Sequence, residues 1–229
     1  ALLGELGPEL DSFGMENHLY AGSSTIDKKL NWKFANDTFG ETYHFAKLHK
    51  ETLGRIFYGN NLHFKEFGRN HRFVTASRGI DKLRQRPESD WEISRGTFVL
   101  YHLFPNIQLV TSAHTTTLIR IYPHESGPSR SVTKISFYYS QQSMDYAAEQ
   151  KMNTEEFDVY DPDGRDAGPT LEGSQEVFRS TIEQEDYDMG EMQQLAAENG
   201  QLRQIIFGRN EPALHHFHNN YREALGQPP

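Results

Sequence analysis

The amino-acid sequence predicts an α+β fold, and three observations carry that prediction. Residues 92–140 alternate apolar and polar side chains in strand-length runs broken by turn residues, the pattern of an antiparallel meander. Phe178, Ile182, Met189 and Met192 then recur at helical spacing. A last helical stripe of Leu214, Phe217, Tyr221 and Leu225 follows Pro212, a residue suited to a first helical turn. A chain of 229 residues can bury a substantial core, as one large domain or two small ones. Its 36% hydrophobic content, with 15 Phe and 11 Tyr, is that of a folded protein.

Taken in order, residues 1–30 read as a lead-in, with a turn at Gly7-Pro8, a strand around His18–Tyr20 and Asp27 as a cap. A helix is expected over Phe34–Leu53, with Phe34, Phe39, Tyr43 and Leu48 apolar, Gly40 weakening it and Gly54 stopping it. Short strands are expected at Leu62–Phe67 and His71–Thr75. The meander then runs Phe98–Phe104, a turn at Pro105-Asn106, Ile107–Thr111 and His114–Tyr122. Leu118, Arg120 and Tyr122 should share one face and Ile119 and Ile121 the other. A hairpin connection over Pro123–Ser129 leads to a return strand over Ser131–Ser140. Lys151–Gly173 reads as a long loop, with turns at Asp161-Pro162-Asp163-Gly164 and Gly168-Pro169, and Ser174 as the cap of a helix from Gln175.

Charge and composition exclude several function classes. The net charge is −9, and the segment Asp145–Glu191 alone carries −12, so that it reads as a solvated, mobile connection. No basic face is large enough to track a phosphate backbone, which argues against nucleic acid as partner. No apolar run reaches the roughly 20 residues that span a bilayer, and no basic-then-apolar leader opens the chain. A soluble cytoplasmic protein is the expectation. With no cysteine, disulfides and thiolate metal sites are excluded.

The chemistry concentrates in Asn31–His49, NWKFANDTFGETYHFAKLH, where Glu41, His44 and His49 fall within nine residues beside Trp32 and Tyr43. Two imidazoles and a carboxylate make up most of a site for a borderline first-row metal, with a further ligand needed from far along the chain. A spacing of five leaves the histidines about 140° apart on an ideal helix. Convergence therefore needs a π-type widening there or a helix that ends near His49. Glu41, three before His44, is placed to accept the proton on its second ring nitrogen. His215, His216 and His218 are a rival cluster, but His215 and His216 are adjacent and point apart, so they read as surface or packing residues.

The phrase NWK, an acidic residue, then E-x-Y-H-x-x-x-x-H resembles the iron-binding segment of the Rieske-type aromatic-ring-hydroxylating oxygenases, in their alpha (large) subunit. LFPN at Leu103–Asn106 and RIYPHESGP at Arg120–Pro128 extend the resemblance. It implies that His44 and His49 ligate mononuclear Fe(II) and that Glu41 is a carboxylate bridging toward the Rieske centre of a neighbouring subunit. It places the third ligand in Glu185-Asp186-Tyr187-Asp188 ahead of Gln193-Gln194, at Asp186, with Asp188 and then Glu185 as alternatives. Asp186 falls four after Ile182 and three before Met189, toward the core, where a cation offsets the cost of burying a carboxylate. The family often reads Glu-Asn where this chain has Asp37-Thr38, so that asparagine's role is not carried over.

Further expectations follow from the resemblance. The fold is a helix-grip one, a curved antiparallel sheet closed over a long C-terminal helix. The substrates are O2 and an aromatic or other apolar small molecule, with Phe45, Leu48, Leu103, Phe104 and Phe178 as pocket walls. Electrons come from a Rieske [2Fe–2S] centre, fed by a ferredoxin or reductase, and trimers are usual. The Rieske cluster needs two cysteines, and this chain has none. The expectation is therefore a single catalytic domain over residues 1–229, cut from a longer subunit or divergent, and inactive without its Rieske partner. The basic residues Lys65, Arg69, Arg72, Arg78, Lys82, Arg84 and Arg86 are either a solvated surface or a docking face for an acidic electron carrier. The alternative from another class is a metal-free helix-grip module that binds a hydrophobic ligand.

Overall fold

A computed structural model describes residues 3–91, 96–112, 114–150, 171–200 and 204–228. Seven strands form one open antiparallel sheet in the order β1-β7-β6-β5-β4-β3-β2. They are β1 (Leu19–Lys28), β2 (His63–Phe67), β3 (Asn70–Ala76), β4 (Thr97–Leu103), β5 (Ile107–Thr111), β6 (Thr115–His124) and β7 (Gly127–Tyr139). From β2 to β7 each strand pairs with its successor, and β1 closes the series by pairing with β7. The expected meander is present, and it begins earlier than the sequence indicated, at β2. Strands β6 and β7 run through most of the expected Pro123–Ser129 connection, leaving only a short turn between His124 and Gly127. Period-two alternation holds: Ile119 and Ile121 are buried, while Tyr122 is exposed.

The two sheet faces carry different cores. On one face, Tyr101 and Leu109 pack with Leu6 and Leu10 of α1 (Leu6–Asp11) and with Phe67. On the other, Ile119, Ile121, Ile135 and Phe137 pack with Leu30, Ala35, Ile182 and Tyr187. This inner face is covered by α2 (Trp32–Asp37), by the helical run around residue 186, and by the C-terminal helix. The architecture is the expected α+β helix-grip arrangement.

Several local expectations are corrected. Gly7 and Pro8 lie inside α1, and Asp27 lies in β1, where it pairs with Arg130 instead of capping. Asn31 is the cap, its side chain accepting from the Lys33 backbone N–H. The helix expected over Phe34–Leu53 is broken into α2, a 3-10 turn at Tyr43–Ala46, and α3 (Leu53–Ile56). Further helices beyond those expected include α4 (Gly79–Leu83) and α5 (Gln141–Gln150). The loop expected over Lys151–Gly173 lies outside the described residues as far as position 170. Leu171–Gly173 already belong to α6 (Leu171–Ser180), which leaves Ser174 inside a helix.

From α6 the chain continues as a π-helical segment, Thr181–Tyr187, and then α7 (Asp188–Glu198). The acidic block is therefore partly ordered helix with a buried carboxylate, not only a solvated connection. The wider π turn rotates everything after it relative to an α-helical wheel. Tyr187 and Gly190 consequently face the core, while Met189 and Met192 point to solvent. In the C-terminal helix α8 (Pro212–Ala224), Leu214 and Phe217 are buried as expected, but Leu225 lies past the end and is exposed.

A polar row crosses the inner face at one cross-strand level. His71, His102 and Gln108 sit opposite one another on β3, β4 and β5, and Gln108 sits opposite Ile119. His71 and His102 stack with ring centroids 4.8 Å apart. Burial, joined by the repulsion of neighbouring histidines, holds both well below the usual imidazole range, His102 at about 3. Each is therefore neutral when folded but takes a proton when unfolded below about pH 6.5, so stability is lost as pH falls from there toward 3. Between pH 7 and 5 one such histidine costs about 2 kcal/mol. His102→Gln should accordingly lose about 2 kcal/mol less than wild type over that interval, measured by urea unfolding at both pH values. Parallel losses would show that His102 does not titrate with unfolding.

Candidate metal centre

The break in the expected helix is what brings the two histidines together. After α2 the chain turns at Gly40, where a Cβ would stand 2.2 Å from Leu214 Cδ2 of α8. Thr42 Oγ1 then donates to the Gly59 carbonyl, 3.1 Å away. Past the 3-10 turn, the Gly54 N–H donates to the His49 carbonyl at 2.8 Å. A Cβ on Gly54 would come within 2.6 Å of the Phe45 carbonyl oxygen and 2.9 Å of that of His49. Tight backbone approach from both sides thus replaces helical geometry, and the 140° divergence of an ideal helix disappears. Of the two routes to convergence, a π-type widening at the histidines or a helix end near His49, the chain shows no π turn there and has left helical geometry before His49; a π segment lies under Asp186 instead.

His44, His49 and Asp186 meet at the inner face. Asp186 Oδ1 lies 3.0 Å from His49 Nε2 and 3.5 Å from His44 Nε2. One ligand atom from each of the three falls within 4.8 Å of the others, which no other group of three or more potential ligands achieves among the described residues. His49 and Asp186 are buried and His44 nearly so. The Phe45 ring stands perpendicular to that of His44, centroids 4.9 Å apart, and 5.6 Å from that of His49.

A carboxylate backs each imidazole. His44 Nδ1 donates to Glu41 Oε1, and the His44 backbone N–H donates to Glu41 Oε2 at 3.2 Å. This is the orienting contact that the spacing of Glu41 and His44 predicts. Glu185 does the same for His49, accepting from Nδ1 at 2.8 Å and from the Thr52 hydroxyl at 3.0 Å. Nothing in the sequence connects Glu185 with His49, 136 residues away, so this partnership had no sequence signal. Both Nδ1 atoms are engaged, which leaves both Nε2 atoms to face Asp186.

The remaining candidates are placed elsewhere. Asp188 is exposed and pairs with Lys28 Nζ at 2.5 Å, away from the cluster. Leu48 is half-buried beside the histidines in sequence, and Phe178 packs edge-on to Phe137, centroids 5.9 Å apart, in the inner core. Leu103 and Phe104 are not brought to the site. Leu103 packs on the α1 face with Tyr101 and Leu109, because it alternates with His102, and Phe104 lies under Arg69. In the tail, His216 Nδ1 is 3.0 Å from His71 Nδ1, and His218 Nε2 contacts both Asp37 carboxylate oxygens at 2.9 Å. Those histidines pack, as expected, though against strand β3 and α2. Of the basic stretch, Arg72 is committed to Glu9 and Arg78 to Tyr58 and the Gly54 carbonyl.

Similarity to known proteins agrees with this geometry. A family model described as the ring hydroxylating alpha subunit (catalytic domain) matches residues 15–227, and the chain belongs to that family. It also resembles the solved structure of a quaternary ammonium Rieske monooxygenase, at a TM-score of 0.68 and 13% identity, covering 97% of this chain and 55% of that one. A dicamba monooxygenase bound to 3,6-dichlorosalicylic acid matches at a TM-score of 0.58 and 8% identity, over 90% of this chain and 59% of that one. At such identities the likeness is one of fold. This chain thus spans less than two thirds of either structure's length. No curated protein sequence matches significantly. No helix among the described residues is long and apolar enough to cross a membrane.

The electrostatics set a pH dependence. Burial opposes charge on His44, but hydrogen bonds to Asp186 and Glu41 outweigh it and raise its pKa to about 9. His49 is raised for the same reason, through Asp186 and Glu185. A ring protonated on both nitrogens cannot ligate, so a metal must displace these protons. Affinity for Co(II) should therefore climb from pH 6 to about 9 and then level off, read by visible absorption titration. Glu185→Gln should weaken Co(II) binding about 10–100-fold by loosening His49. Affinity independent of pH, or unaltered by Glu185→Gln, would contradict this assignment of the rings.

Proposed function

We propose that the chain is the catalytic domain of a Rieske-type non-haem iron oxygenase. In this reading His44, His49 and Asp186 hold mononuclear Fe(II), and an aromatic or other apolar small molecule is hydroxylated with O2. The observation that carries the proposal is the convergence of two imidazole Nε2 atoms on one buried aspartate oxygen, each imidazole backed by its own carboxylate. Two neutral imidazoles and a carboxylate suit ferrous iron, and the ion, when bound by His44, His49 and Asp186, would supply dioxygen activation. The donor set fits the ion, because both Nδ1 atoms are occupied and both Nε2 atoms are directed to one place.

The residues of this chain do the rest. Glu41 and Glu185 fix the ring orientations and keep Nε2 free as the ligand atom. Phe45 walls the cluster on the histidine side and limits water access. Glu41 has a further role in the proposal, as the route by which electrons arrive from a Rieske [2Fe–2S] centre held on a neighbouring subunit. Its support is position: Glu41 bonds directly to His44, and the adjacent Tyr43 is half-exposed, so the path from surface to cluster is short. A ferredoxin or reductase would feed that centre, and a homotrimer would present it. The domain of residues 1–229 is then one catalytic unit that depends on a Rieske partner for turnover.

Iron analysis after anaerobic loading with ferrous iron tests the proposal. Wild type should bind near one equivalent, and His44→Ala, His49→Ala or Asp186→Ala should each abolish it. Asp188→Ala should keep it, since Asp188 belongs to Lys28. Glu41→Ala should retain iron yet lose coupled turnover with a Rieske partner; loss of iron would make Glu41 a ligand instead. Apolar-ligand binding that is indifferent to all three ligand substitutions, with no iron bound, would favour the metal-free binding module.

A further inference from the structure

Among the described residues, His102 Nε2 and Gln108 Oε1 are buried polar atoms of the inner face with no hydrogen-bond partner. His102 is fully buried and Gln108 almost so. They sit opposite one another on β4 and β5 and are tied together, with Gln108 Nε2 donating to His102 Nδ1 at 3.0 Å and to Asn36 Oδ1 at 2.7 Å. That network sets the polarity of what is left over. Because Nδ1 accepts, the neutral His102 ring carries its proton on Nε2, an unused donor. Because the Gln108 amide nitrogen is doubly committed, its oxygen is an unused acceptor. Each such orphan is costly when buried, because it has given up water without gaining a partner.

A chain of side chains on the same face links this pair to the metal cluster. One cross-strand level along the same face, Leu100 and Val110 replace His102 and Gln108 with apolar side chains. A further level along β4 is Phe98, which packs against Phe57, which packs against Phe45 beside both metal-site histidines. His102 and Phe98 are four positions apart, about 13 Å along an extended strand. The face therefore grades from a polar donor–acceptor pair, through an apolar band, to the aromatic wall of the cluster.

We propose that His102 Nε2–H and Gln108 Oε1 bind the hydroxyl group of an otherwise apolar, uncharged aromatic substrate whose ring lies on the Leu100–Val110 band. A hydroxyl both accepts and donates, so it satisfies both orphans at once. A carboxylate would set its oxygens against that of Gln108, an alkyl cation offers neither function, and a hydrocarbon leaves both unmet. The inference names the substrate class of the oxygenase reading and rests on it only for the reaction, not for the binding. His102 and Gln108 would be specificity-determining residues, distant from the reacting atoms.

The near-isosteric pair 4-fluorophenol and 4-fluorotoluene provides the test, with dissociation constants for the 229-residue chain read by 19F NMR. The phenol should bind at least tenfold tighter, as expected where a site built to pair a hydroxyl meets an analogue without one. Gln108→Leu and His102→Phe should erase that preference while Co(II) uptake stays unchanged. Equal affinities in wild type, or a preference that survives in folded variants, would overturn the inference. Should both variants fail to fold, a crystal soaked with 4-fluorophenol decides: its hydroxyl between His102 and Gln108 supports the inference, and a bound water only, with the phenol elsewhere, refutes it. Cobalt separates the two readings. If Co(II) does not bind but the phenol preference holds, the oxygenase reading fails and the hydroxyl site stands; Co(II) binding with equal affinities does the reverse.

Discussion

A carboxylate buried between two imidazoles is the constraint on which the rest of the arrangement depends. Asp186 is 6% exposed, and an ionised carboxylate that far from water needs a positive partner. Here that partner is either the pair of protonated rings or a cation that replaces their protons. Glu41 and Glu185 make the same demand from behind the rings, so three carboxylates surround two histidines. Such an excess of negative groups is hard to account for as packing and suits an ion carrying two charges.

Holding the cluster together takes unusual backbone at both ends. On the histidine side, helix gives way to a 3-10 turn clamped by close approach of Gly40 to α8 and of Gly54 to the Phe45 and His49 carbonyls. On the aspartate side, a π segment interrupts an otherwise α-helical run. That wider turn lets Ile182, Asp186 and Tyr187 all face inward, where Tyr187 shares a 2.8 Å hydrogen bond with Thr133 of the sheet. The sheet itself supplies the platform, with one face devoted to α1 and the other to the site.

Strand alternation made the meander legible from β4 to β7, since period-two patterns such as Ile119 and Ile121 against Leu118 and Arg120 survive without tertiary information; β2 and β3 were legible as strands but not as its continuation. The three metal-site candidates were also legible, the histidines through a compact motif and Asp186 through the family resemblance; its helical phase was a partial guide, since Ile182 is buried with it but Met189 is exposed. What escaped had tertiary causes. Leu103 looked like a wall because it is apolar and near a motif, but strand parity sends it to the face opposite His102. Phe34–Leu53 looked like one helix because its apolar spacing fits, while the breaks are imposed by carbonyls and a leucine that arrive from elsewhere. Glu185 could not be assigned to His49 because its only signal is proximity in the folded chain. The polar row was invisible for the same reason, its members being scattered over β3, β4 and β5.

The inner face thus carries the metal-site cluster towards one end and the buried His102–Gln108 pair towards the other, with Leu100 and Val110 between them. The most direct test of the central claim is anomalous diffraction from crystals grown anaerobically with ferrous iron. The account requires a single strong iron peak within bonding distance of His44 Nε2, His49 Nε2 and an oxygen of Asp186. Iron bound elsewhere, or a cluster that keeps its hydrogen bonds and takes up no metal at saturating concentration, would contradict it.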